Sequence, residues 1–196
     1  DCSLIAGDDS YLLLYTYDSD NDITTPEDNE IWARIFNISS SSWGEPIRLT
    51  DNNVLDSNAQ GVFHNGDWFI IYNQDDRYVY RQGLTGETLA TESLAGVSGE
   101  TMLAQGDDFL ALVYKEGGEN NNRSIAALFY DLEKGIWSNE ISLTSQPGYV
   151  RSFSPIFDSE GNLCLLYTHA DIITEVKGES EYYVPSNNVN LMFSTY

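Results

Sequence analysis

Asp18, Asp20 and Asp22 alternate within YTYDSDNDITTPEDNEIWARIF, residues 15 to 36, and Glu27, Asp28 and Glu30 follow closely. Alternating carboxylates are what a calcium loop supplies, because Ca²⁺ takes several oxygen ligands from side chains spaced two apart. Ile23 stands where the EF-hand turn needs Gly, and Asn29 stands where that loop places its bidentate Glu. Calcium held by Asp18, Asp20 and Asp22 is therefore one reading; a solvated acidic loop is the other and the favoured one. No other cofactor is expected.

The remaining reactive side chains are few. His64 and His169 are the only candidate bases for a Ser or Cys nucleophile, and no Gly-x-Ser-x-Gly elbow is present. Two histidines and two cysteines lack zinc-ligand spacing, and no glycine-rich phosphate loop occurs. A pair of carboxylates could hydrolyse a glycoside, but with 31 acids in the chain some pair always falls at a suitable separation. No catalytic residue is assigned, and a non-enzymatic role is favoured over an enzymatic one.

Nine Lys and Arg against 31 Asp and Glu give a formal charge of -22. Such a chain repels nucleic acid and anionic lipid, which require basic patches, so neither is an expected partner. Thirteen Tyr, eight Phe and four Trp supply the apolar area for a folded domain. No run approaches the ~18 apolar residues of a membrane helix, so membrane insertion is not expected. The chain opens at Asp1-Cys2-Ser3 without a leader, as a mature, processed or excerpted segment would. Cys2 and Cys164 fit either a disulfide in a secreted protein or two separate thiols.

The elements that must position these groups are strands. Short runs rich in Tyr, Ile, Val and Phe recur between Asp, Asn, Gly and Ser clusters, which is an all-β signature. The runs also repeat. GDDSYLLLY (7–15) matches GDDFLALVY (106–114), and IWARIFNISSSSWGEPIRLT (31–50) matches IAALFYDLEKGIWSNEISLT (125–144) without a gap. GDWFIIY (66–72) falls opposite GNLCLLY (161–167), so each long unit contains two smaller ones. A period of about 49 residues with several strands per unit predicts a β-propeller of about four blades of four-stranded antiparallel sheets. The blades span approximately 1–56, 57–98, 99–150 and 151–196, the last one strand short. The second strand of each unit is apolar on both faces, as an inner strand covered on either side must be. The missing strand points to a part of a larger propeller, with further blades from the same parent chain as partners; a small ring clasped by Cys2–Cys164 is the alternative.

Ser154-Pro155-Ile156-Phe157-Asp158-Ser159-Glu160-Gly161-Asn162-Leu163 and the Trp-x5-Leu-Thr ends at 43–50 and 137–144 carry a resemblance. They look like the blade repeats of sialidase-like and related bacterial cell-surface β-propellers. The resemblance implies a secreted or cell-surface location and a propeller architecture, with the turn at Asp158–Gly161 similar to the Asp-box hairpin. It carries no active site. Sialidases use an arginine trio, a Tyr–Glu nucleophile pair and an acidic general acid, and Arg34, Arg48, Arg77, Arg81, Arg123 and Arg151 match no such motif.

Loops between second and third strands should emerge on one face of a propeller; here they span 18–29, 74–77, 116–123 and 169–188. They vary while the strands repeat, as expected where function sits on a rigid scaffold. Asp75, Asp76, Glu116, Glu119, Glu179 and Glu181 make that face acidic. Tyr182 and Tyr183 add two adjacent loop aromatics, and Trp32, whose twin is Ala126, adds a third ring. Trp43 and Trp137 occupy equivalent positions, which suggests packing between blades. These features predict a non-catalytic extracellular module that binds a protein, a glycan or a surface through its acidic loops. The second expectation is part of a sialidase-like or other carbohydrate-active propeller enzyme.

Overall fold

In the computed structural model, residues 1–18, 22, 24–75, 77–84, 94, 97, 99–144, 146–178 and 180–196 are described. Asp20, Asp76, Glu179 and residues 85–93 of the second expected blade lie outside them. The chain divides into two compact units, Asp1–Val97 and Ser98–Tyr196. Among the described residues each holds two antiparallel sheets.

In the first unit, β1 (Cys2–Ala6), β2 (Ser10–Asp18), β3 (Asn29–Asn37) and β4 (Ser42–Trp43) pair in sequence, and β5 (Ile47–Arg48) pairs with β3. The second sheet is β6 (Asp56–His64), β7 (Asp67–Gln74) and β8 (Arg77–Gln82). In the second unit, β9 (Thr101–Gln105), β10 (Phe109–Gly117), β11 (Arg123–Asp131) and β12 (Ile136–Trp137) repeat the first arrangement, with β13 (Ile141–Ser142) on β11. The last sheet is β14 (Tyr149–Phe157), β15 (Leu163–Lys177) and β16 (Ser180–Thr195).

The outer edge of the first blade is two short pieces, β4 and β5. Pro46 has no N–H to give a ladder, and the chain between the pieces is held by Gly44 N–H on the Ile35 carbonyl at 2.8 Å. The Arg34 guanidinium fastens the same spot from the side, donating to Gly44 O at 3.0 and 3.1 Å.

The Leu-Thr ends of the repeat have a definite job. Leu49 N–H donates to Ile31 O and Leu143 N–H to Ile125 O, both at 2.8 Å. The following Thr turns its hydroxyl back onto the same residue: Thr50 Oγ1 accepts from Ile31 N–H at 2.8 Å and Thr144 Oγ1 from Ile125 N–H at 2.9 Å. Buried backbone groups need partners, and here a side chain completes the ladder where the outer strand ends. The repeated Trp packs within its own sheet: Trp43 lies 5.2 Å from Phe36, and Trp137 5.2 Å from Tyr130, its cross-strand partner in each case.

The cores are twins as well. Leu12, Leu14, Ile31 and Ala33 face Trp68, Ile70 and Tyr72 in the first unit; Ala111, Val113, Ile125 and Ala127 face Leu163, Leu165 and Tyr167 in the second. Strands β7 and β10 are buried on both faces, as expected of inner strands. Strands β2 and β15 correct that expectation: only one face of each is buried, although YLLLY and LCLLY are apolar throughout. Cys2 and Cys164 are both free thiols.

The loop expected at 169–188 is instead a continuous hairpin. Strands β15 and β16 keep pairing past a bulge between Ala170 and Ile172, from Ile172↔Pro185 to Lys177↔Ser180. Ile172, Ile173, Thr174 and Val176 opposite Tyr182, Tyr183 and Val184 are strong strand formers, and Gly178 takes the left-handed turn position at φ 69°.

A candidate binding surface in the second unit

Beyond Glu116, strand β10 ends in a tight turn that includes a single 3-10 turn, Glu119–Asn121. Asn120 and Asn121 both adopt left-handed backbone, φ 56° and 67°, a conformation that Asn tolerates better than most residues. Gly118 N–H closes the turn on Asn122 O at 2.8 Å, and the Asn122 amide donates to Glu119 O at 2.8 Å. The turn is then fixed to the long hairpin: Asn121 Nδ2 donates to Tyr183 O at 3.1 Å.

Two contiguous hollows of about 280 and 290 Å³ lie at this turn, sharing Gly118, Asn122 and Arg123. The first is walled by Glu100, Lys115 and Glu116, the second by Ser124, Gln146 and Pro147. Their charged groups are held in place. Lys115 is nearly buried; its ammonium bonds Glu100 and the Arg151 carbonyl and sits 5.7 Å from the Phe153 ring. Arg123 lies over Tyr149 at 5.3 Å, and Glu116 accepts from Ser124 Oγ at 3.0 Å. Gly148 forms the floor beside His169: a Cβ there would fall 2.1 Å from His169 Nε2 and 2.9 Å from Ala170 O, so only glycine fits. Tyr114, behind this region, donates its hydroxyl to Glu140; burial and that carboxylate push its ionisation well above the ordinary range.

Of the residues singled out in the sequence, the structure gathers Glu116, Glu119, Glu181, Tyr182 and Tyr183 in this unit. Tyr182 and Tyr183 are exposed strand residues opposite Glu175 and Thr174. The other candidates belong to the first unit. Trp32 meets Tyr17 edge-on at 5.9 Å and lines a hollow of about 270 Å³ with Tyr15, Tyr17 and Pro46. Asp75 sits at the β7–β8 turn with φ 58°, its N–H on Leu55 O at 2.8 Å.

Within the acidic stretch, Asp22 is held by its neighbour Thr24. Asp22 Oδ1 accepts from Thr24 N–H at 3.0 Å and Thr24 Oγ1 at 2.7 Å, and these bonds lower its ionisation below the ordinary carboxylate range. Among the described residues no three His, Cys, Asp or Glu side chains are placed to hold one metal ion.

One arrangement has no counterpart in the sequence reading. Glu30 and Asp56 are both buried at the strand ends of the first unit. Glu30 Oε1 accepts from Arg48 Nη2 at 3.0 Å and Asn52 N–H at 2.8 Å; Asp56 Oδ2 accepts from Asn52 Nδ2 at 2.7 Å. Loss of hydration raises Asp56 above the ordinary carboxylate range, and the charge of Glu30 adds to it against the hydrogen bonds from Thr50, Asn52 and Gln74. Both carboxylates are closed off from solvent. Glu30 has Ser124 and Asp56 has Val150 at the repeat-equivalent positions, so only the break in the repeat marked them.

No protein-family profile and no curated protein sequence matches the chain. Solved structures do. Bacteroides ovatus GH43B from a xyloglucan utilisation locus aligns over 94% of this chain and 39% of its own, with 11% identity and a TM-score of 0.53. A PL25 polysaccharide lyase, an ulvan lyase, aligns over 93% and 56%, with 11% identity and a TM-score of 0.55. The GH43 protein BlXynB of Bacillus licheniformis aligns over 94% and 43%, with 10% identity and a TM-score of 0.50. The chain thus spans about half or less of these proteins. At such identities the likeness concerns the fold alone: the chain is an all-β protein of the β-propeller type found in carbohydrate-active proteins.

Proposed function

We propose that this chain is a non-catalytic β-propeller module of an extracellular or cell-surface protein, and that it binds a glycan through the turn and hairpin of its second unit. The observation that carries this reading is the Asn121–Tyr183 hydrogen bond, which fixes the turn against the hairpin. The backbone of exposed Tyr183 is thereby tied to a turn whose hollows are lined by amides, a guanidinium and carboxylates. Sugars need that mixture: aromatic faces for C–H surfaces, and fixed donors and acceptors for hydroxyls. Function must be argued from such a site, since one fold serves many purposes. A glycan array probed with the labelled chain tests it. The expected result is retention of a defined glycan set, with Tyr182→Ala/Tyr183→Ala weakening binding at least tenfold, or ~1.4 kcal/mol. An empty array, or retention indifferent to both tyrosines, overturns it. Capture of a protein in its place would assign the surface to a protein partner.

The second reading is part of a carbohydrate-active enzyme, sialidase-like or otherwise. It is favoured by the fold shared with longer GH43 and PL25 chains. Release of reducing ends or unsaturated products from polysaccharides by the chain would support it, and no release would count against it. Calcium at Asp18, Asp20 and Asp22 is tested by calorimetric titration: heat that Asp18→Asn removes would establish the ion, and no heat would leave a solvated acidic loop.

A further inference from the structure

Nine cationic side chains stand against 31 acids in this chain. Arg48, Lys115, Lys134 and Lys177 each pair with a carboxylate, and Arg34 and Arg81 donate to backbone carbonyls. Arg123 does neither: among the described residues its guanidinium meets no carboxylate and donates to no oxygen. It lies over the Tyr149 ring at 5.3 Å. Stacking of that kind holds the planar group by its face and leaves the five N–H donors around its edge for another partner. The backbone beneath is fixed as well, with Arg123 N–H on Gly148 O at 2.7 Å.

Arg123 lines both hollows of the second unit, and the two differ in charge. The hollow of about 280 Å³ has Glu100 and Glu116 in its wall beside Lys115. In the hollow of about 290 Å³, Arg123 is the charged residue of the described wall. The rest of that wall is the amides of Asn122 and Gln146, the hydroxyls of Ser124 and Thr144, Pro147 and glycine backbone. Glu116, on the other side, is engaged by Ser124 Oγ at 3.0 Å. A carboxylate-free wall around an unpaired guanidinium suits an anion, because the guanidinium fork meets two oxygens of a carboxylate or sulfate at once. The acids elsewhere in the chain weigh little against direct contact, since the screening length is roughly 8 Å at physiological salt.

We propose that the glycan taken by the second unit is an acidic one, with the carboxylate or sulfate of one sugar seated on Arg123 in the carboxylate-free hollow. The inference rests on the glycan reading above and narrows it to a ligand class. Calorimetry on the whole chain tests it with two pairs of probes: tri-galacturonate and its methyl ester, and a sulfated galactan oligosaccharide and its desulfated form. One charged probe should bind at least tenfold more tightly than its uncharged form at ~50 mM NaCl and lose most of that advantage at ~500 mM. Whichever pair shows the preference identifies the acid group. Arg123→Gln should erase the preference, and Arg123→Lys, which keeps the charge and loses the fork, should retain part of it, with circular dichroism unchanged in both. Uncharged glycans bound as tightly as charged ones, in dependence on Tyr182 and Tyr183, would overturn the acidic class and leave the glycan reading standing. A preference for charge that survives Arg123→Gln would overturn the assignment of the anion to this hollow. Binding of no probe and of no array glycan would overturn both readings together.

Discussion

Thr50 and Thr144 each complete a strand with one hydroxyl, and their removal should be felt locally. Thr50→Val or Thr144→Val keeps shape and leaves the Ile31 or Ile125 N–H without an acceptor, at a cost of about 1–3 kcal/mol each. Urea unfolding of the single and double variants checks this; losses in different units should add. Asp56 gives a pH dependence with a definite sign. Its carboxyl titrates near ~3.9 in the unfolded chain and higher when folded, so between those values the folded state binds more protons. Its contribution therefore lowers stability as pH rises through that window and relieves the penalty as pH falls. Asp56→Asn should flatten the urea-midpoint profile there, and an unchanged slope would contradict the burial assigned to it. The Thr positions were legible as Leu-Thr repeats. The Glu30–Asp56 pair was not, because burial of a carboxylate depends on what packs over it rather than on its own sequence.

At the scale of elements, repetition was the readable signal and departure from it the unreadable one. Gly7–Tyr15 and Gly106–Tyr114 announced β2 and β10, and Ile31–Thr50 and Ile125–Thr144 announced β3 to β5 and β11 to β13 down to their core residues. The hairpin of β15 and β16 had no twin to align with, so its β-branched and aromatic pairs passed for a loop until the register joined them. The same hairpin brings His169 over Gly148. Gly148→Ala should destabilise the second unit by about 1–3 kcal/mol through forced displacement. Adding His169→Ala should recover part of the loss and not all, since the Ala170 carbonyl remains 2.9 Å from the new Cβ. Full recovery, or no loss at all in a thermal melt, would contradict the close approach.

For the whole molecule, a net charge of -22 disfavours contact between copies, a repulsion that added salt screens. The central claim concerns the second unit, where a turn and a hairpin that the sequence presented separately are fastened into one surface. Hydrogen–deuterium exchange with and without the glycan retained on the array tests that claim most directly. The account predicts slowed exchange in both 117–123 and 171–186 and none in 24–37. Protection confined to the first unit, or to only one of the two fastened segments, would contradict it.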